Sequence, residues 1–101
     1  MKREVIFLDQ ALRDLEIGRD FYNLQSSGLG DYFVDSLFAD VASLKFFAGT
    51  HPKHFGLYKM NAKRFPFAFY YDFDSEHVRI AAILDMRQNP KSIRDDLRAR
   101  T

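Results

Sequence analysis

The hydrophobic period of this chain changes once, at Ala48-Gly49-Thr50-His51-Pro52, and that change limits its folds more than any other feature. Before the break, Phe33, Val34, Leu37, Phe38, Val41, Leu44 and Ala48 recur at intervals of three and four. This is the spacing of a helix with one apolar face, predicted here over residues 30–47. After the break, apolar residues alternate, which is the period of a half-buried strand. An earlier helix is predicted from Gln10 to Gln25, with Asp9 as its N-cap and an apolar stripe of Ala11, Leu12, Leu15, Phe21 or Tyr22, and Leu24 or Gln25. Arg13, Asp14, Glu16, Arg19 and Asp20 fall on its surface. Gly18 inside that helix weakens it and is expected to mark close packing against a neighbour. Ser26-Ser27-Gly28-Leu29-Gly30 separates the two helices, so they should form an antiparallel hairpin.

Four strands are predicted around this hairpin. Arg3 to Leu8 reads as a short first strand. His54 to Asn61 reads as one strand, with Phe55 and Leu57 on one face and Tyr58 and Met60 on the other. Arg64 to Phe73 sets Phe65, Phe67, Phe69, Tyr71 and Phe73 on one side, with Pro66 near its start because proline cannot donate to a ladder. Val78 to Met86 alternates Val78, Ile80, Ala82, Leu84 and Met86 against Arg79, Ala81, Ile83 and Asp85. The polar turn 74–77 joins these last two as an antiparallel hairpin. Ser92 to Arg100 closes the chain as a short helix anchored by Ile93 and Leu97. The sum is one α+β domain over residues 1–101: an N-terminal strand, a helix hairpin packed on a twisted antiparallel sheet, and a short C-terminal helix. The sheet face away from the hairpin, carrying Arg79, Ala81 and Asp85, is expected to be open, with Tyr70 partly exposed on it.

Composition removes several classes of function. The chain has 101 residues and no Cys, so a disulfide scaffold, a thiol nucleophile and a Cys-based zinc site are excluded. No apolar run reaches the ~20 residues of a membrane-spanning helix, and the short apolar stretch ending at Asp9 is no signal peptide; the cytoplasm is the expected location. Residues 1–48 hold five Lys or Arg against eight Asp or Glu, and residues 49–101 hold ten against six. The basic second half could face an acidic partner or a phosphate backbone. There is no Gly-rich phosphate loop, because Gly28-Leu29-Gly30 lacks the lysine and follows a helix. No organic cofactor and no metal ligand set are indicated.

Several strings in this order resemble the RelE/ParE family of type II toxin–antitoxin toxins, closest to the ParE-like branch. They are Phe21-Tyr22, Gln25, Gly28-Leu29-Gly30 and Phe33, then Arg64-Phe65-Pro66-Phe67 with Tyr70, then Arg87 followed by Pro90. The resemblance spans about residues 9–94. It implies a helix hairpin on a twisted sheet and a growth-inhibiting toxin of the plasmid-stabilisation type. It also implies a cognate antitoxin, held in a hetero-oligomer, that lays an extended, partly helical segment on the helices or a sheet edge. ParE relatives poison DNA gyrase by binding; RelE relatives cleave mRNA on the ribosome. The shared fold cannot choose between them.

Cleavage of RNA needs a base, an acid and a cation for the developing phosphorane charge. Here Phe67 stands where many family nucleases hold an Arg, and Asp85 near where related sequences often have a His. Arg87 alone matches a catalytic-type position. The enzyme alternative therefore rests on Arg87 and Tyr70 with His54. The binding reading takes Arg64, Arg87 and Arg94 as cations offered to the target or antitoxin, with Tyr58, Tyr70 and Lys59 as further contacts and the basic tail Lys91–Arg100 beside them. His51 and His54 could form a phosphate-handling pair, but a loop gives them no fixed geometry; His77 falls in the hairpin turn. A third alternative is an interaction module that keeps the fold without toxicity.

Overall fold

The computed structural model describes residues 2–100. Strand β1 (Glu4–Phe7) leads into helix α1 (Asp9–Gln25), which is followed by α2 (Leu29–Val41) and the short α3 (Leu44–Phe47). Then come β2 (Lys53–His54), β3 (Leu57–Asn61), β4 (Phe67–Phe73), β5 (His77–Asp85) and α4 (Pro90–Ala99). The five strands form one sheet in the order β1-β5-β4-β3-β2, antiparallel except for β1, which runs parallel to β5.

The helix hairpin forms as expected and packs closely. A Cβ at Gly18 would lie 2.6 Å from the ring of Phe33. One at Gly30 would meet the Arg19 carbonyl oxygen and the Asn23 side chain, whose Oδ1 accepts the Gly30 N–H at 2.7 Å. Three expectations about the helices need correction. Asp9 is the first helical residue rather than the cap; Leu8 is the extended cap residue, because its N–H still donates to the Ile80 carbonyl. The second helix does not run through to residue 47. It stops at Val41, where the Ser43 hydroxyl donates to the Asp40 carbonyl at 2.9 Å, a local bond that competes with the helical ladder. Finally, the surface position given to Asp14 does not hold: its carboxylate is among the least exposed in the chain.

The sheet differs from the expectation in four places. Residues 54–61 are not one strand: β2 and β3 are a hairpin turning through Phe55 and Gly56, both at positive φ. The Arg64–Phe73 strand begins only at Phe67, beyond Pro66. The register between β4 and β5 skips Ala81, with Tyr70 opposite Ala82 but Tyr71 opposite Ile80. That extra residue is a β-bulge, and it exchanges the faces of β5. Val78, Ile80 and Ile83 join the core beneath the helix hairpin, while Ala82 and Leu84 face the other way. The face expected to be open is covered: Ile93 and Leu97 of α4 pack on Ala68, Tyr70, Ala82 and Leu84. The aromatic stripe behaves as expected, with Phe67, Phe69 and Tyr71 buried under the helices and Phe65 and Phe73 at their margins.

Candidate functional site

The hairpin and the end of β5 create a cleft. Helix α1 buries Ala11, Leu15, Gly18 and Tyr22. A second apolar stripe, Ile17, Phe21 and Leu24, remains exposed at 62%, 45% and 89%. Ile17 and Phe21 form one wall of a cavity of about 260 Å³, with Phe67, Ile83, Leu84 and Asp85 on the other. Its floor is the outer edge of β5, which has run past the last residue of β1. Asp14 and Arg100 close part of that edge: Asp14 Oδ2 accepts the Ile83 N–H at 2.9 Å, and Arg100 Nη1 donates to the Ala81 carbonyl at 3.3 Å.

Arg87 stands at the end of this cleft. It is exposed, and its guanidinium grips Asp85 through Nε at 3.0 Å and Nη2 at 2.7 Å. Asp85 also accepts the Arg87 backbone N–H, so the two form a closed local unit. The Arg87 side chain pulls the Asp85 carboxyl below its ordinary range, and Asp85 in turn raises the guanidinium of Arg87. Nη2 also lies 3.5 Å from the Tyr22 hydroxyl, which ties the C-terminal end of the sheet to α1. The result is a fixed, planar, charged group with one side turned to solvent.

The other predicted residues are spread over the molecule. Tyr70 is buried at 2% exposure and its hydroxyl donates to the Met86 sulfur, at 3.7 Å; the expectation of a partly exposed Tyr70 is corrected, and the covering helix α4 is the reason. His54 lies exposed on β2, at the far edge of the sheet from β5. Arg87, Tyr70 and His54 therefore do not converge on one reacting atom. Tyr58 faces the helix side, stacked 5.5 Å from Tyr71 with Lys53 Nζ 5.0 Å above its ring. Lys59 is half-buried on β3 opposite Tyr70. Arg64 is exposed in the β3–β4 connection. Arg94 lies on α4, 3.5 Å from Asp95, with its Nε buried and lacking a hydrogen-bond partner among the described residues.

The histidines part company. His51 Nδ1 is 2.6 Å from the Tyr71 hydroxyl, which also accepts the Gly49 N–H at 3.0 Å. His51 is thus fixed in the loop, apart from exposed His54. His77 begins β5, 3.7 Å from Asp74. In the basic tail, Arg100 is unavailable: it is 13% exposed and bound to both Asp14 and Asp96. Among the described residues no group of three His, Asp or Glu gathers to hold a metal ion, and no helix is long and apolar enough to cross a membrane.

The helix hairpin, the five-stranded mixed sheet and the terminal helix together make one α+β fold. The same fold is found in the solved structure "Chromosomal ParDE TA system from P. aeruginosa", with a TM-score of 0.72 at 17% sequence identity, over 81% of this chain and 94% of that one. No family model and no curated protein matches the sequence.

Proposed function

We propose that this chain is the toxin of a type II toxin–antitoxin system, that it arrests growth by poisoning DNA gyrase, and that a cognate antitoxin neutralises it. The observation that carries this reading is the shared fold, which accounts for 94% of a chain from a ParDE toxin–antitoxin system. Binding is favoured over cleavage because Tyr70 is buried, His54 lies at the opposite sheet edge and Arg87 is held by Asp85. The exposed stripe Ile17, Phe21 and Leu24 beside the cleft suits the apolar face of an antitoxin helix. Arg87 at the cleft end, with Arg64 and Arg94 elsewhere on the surface, offers cations to an acidic partner.

The test is inducible expression in a bacterial host, with and without the adjacent open reading frame, followed by supercoiling assays with purified gyrase. Growth arrest relieved by the neighbour, together with lost supercoiling and accumulated cleaved DNA, is the expected result. Arrest with gyrase unaffected and mRNA cut on ribosomes moves the protein to the RelE type of action. Abundant folded protein without arrest removes the toxin reading.

A further inference from the structure

The β2–β3 hairpin carries a feature that neither packing nor turn chemistry asks for. Its two-residue turn, Phe55-Gly56, has φ of 57° and 84°, the backbone of a type I′ turn. That turn favours Asn or Asp before Gly, and a bulky residue at positive φ is strained. Phe55 gains little burial in return, being 49% exposed. The ladder between β3 and β4 ends at Tyr58 opposite Tyr71, so the turn end of the hairpin, from Phe55 to Leu57, is not paired to β4, and residues 53–56 are all exposed.

The ribbon and the edge behind it are uniformly basic. No acidic residue occurs between Asp40 and Asp72, a stretch that includes Lys53, Lys59, Lys63 and Arg64 as well as His51 and His54. The bounding acids are already engaged. Asp40 is buried and accepts the Lys63 N–H at 2.9 Å. Asp72 and Asp74, at the end of β4, are bound by Arg79 at 2.7 and 2.8 Å. Lys53 to Lys63 spans roughly 20 Å along the edge at the rise of an extended chain.

We propose that this hairpin is a nucleic-acid contact surface whose partner is duplex DNA, with Phe55 as an apolar wedge against the bases and Lys53, Lys63 and Arg64 on phosphates. Cations alone would serve equally to keep sheet edges apart; an exposed aromatic kept at a strained turn would not be needed for that. In the major groove an apolar side chain at the tip of a ribbon meets base edges and the thymine C5-methyl. A ribbon two strands wide enters the ~12 Å major groove of B-form DNA, whereas the deep, narrow major groove of A-form RNA does not admit it. The inference does not depend on the gyrase reading, since it concerns the isolated protein.

The test uses the full chain and a fluorescein-labelled 20-base-pair DNA duplex, followed by anisotropy from 50 to 200 mM KCl, with a duplex RNA of the same sequence as comparison. Wild type should bind DNA more tightly than RNA, with log K falling against log salt at a slope of about −3. Phe55→Asn supplies the residue the turn prefers. It should weaken DNA binding about tenfold while raising Tm by about 4 °C. Lys63→Ala should weaken binding less and flatten the salt slope by about one. No binding at 50 mM KCl, equal binding by Phe55→Asn, a lowered Tm for that variant, or tighter binding to RNA would each overturn the proposal.

Discussion

Arg100 closes a two-pronged ion pair onto Asp14, 86 residues earlier in the chain, with Nη1 and Nη2 at 2.6 and 2.8 Å from the two carboxylate oxygens. The pair lies 13% and 11% exposed against the outer edge of β5, where no strand continues β1. It satisfies the Ile83 N–H and the Ala81 carbonyl at the bulge, so it substitutes for a missing stretch of ladder. Removing one partner leaves a poorly solvated charge, a change that costs about 3–5 kcal/mol. Arg100→Leu is therefore expected to lower unfolding free energy by ~3 kcal/mol in urea titration. The double variant with Asp14→Asn should lose less than the two single losses combined. A loss below ~1 kcal/mol for Arg100→Leu would show that the pair is solvated like an ordinary surface bridge.

Gly18→Ala sets helix propensity against packing. Propensity favours Ala by about 1 kcal/mol. The new methyl would lie 2.6 and 2.7 Å from two ring carbons of Phe33. Phe33 is fully buried and hemmed in by Tyr22, Phe65 and Phe67 at centroid distances of 5.1, 5.0 and 4.9 Å. The ring has no room to retreat, and overpacking of this kind costs about 1–3 kcal/mol. The net expectation is a fall in Tm, measured by circular dichroism, with helix content unchanged. A rise in Tm would mean that the hairpin spreads to admit the methyl.

These two sites also mark how far the sequence can be read. Gly18 signalled close packing because a glycine inside an amphipathic pattern has few other uses. The helix hairpin, apart from the early end of α2, the Phe67–Phe73 stripe and the Ile93–Leu97 anchor follow from local periodicity and form as expected. The Asp14–Arg100 pair has no local signature, since topology alone brings those residues together. The bulge at Ala81 is likewise invisible: Ile83 reads as outward by strict alternation and is buried through one skipped residue. That same bulge, with α4 over the sheet, is why Tyr70 is interior rather than presented. The stripe of Ile17, Phe21 and Leu24 could have been read as a second apolar face of α1, because its spacing of four and three is helical.

The contact between His51 and Tyr71 predicts a pH-dependent loop. The Gly49 N–H donates to the Tyr71 hydroxyl, so the hydroxyl proton is free to point at His51 Nδ1, which must then be unprotonated. Burial lowers the His51 pKa below its ordinary 6.5. A native state that resists protonation has this stability in full above pH 6.5 and loses it as pH falls through the lowered native value. The protection factor of the Gly49 amide, its exchange rate set against the intrinsic rate at each pH, should therefore fall between pH 7.5 and pH 5. In Tyr71→Phe that pH-dependent fall should vanish. An identical fall in both proteins would place its origin elsewhere.

Tyr70 separates the binding and cleavage readings, and Arg87, which both require, is the control. Arg87 is 53% exposed and its bond to Asp85 lies at the surface, so Arg87→Ala should cost no more than about 1 kcal/mol of stability. It also strips the cleft end of its cation and leaves Asp85 as a bare negative charge facing any acidic partner. Growth arrest on induction is expected to be lost while the folded protein persists at the wild-type level. Tyr70→Phe removes a hydroxyl that donates to a weak thioether acceptor, in a layer already closed by α4. That variant should fold with a stability change within about 1 kcal/mol and arrest growth like wild type. A cleavage mechanism using Arg87 and the Tyr70 hydroxyl requires arrest to be abolished in both variants, so the induction curve of Tyr70→Phe decides between the mechanisms.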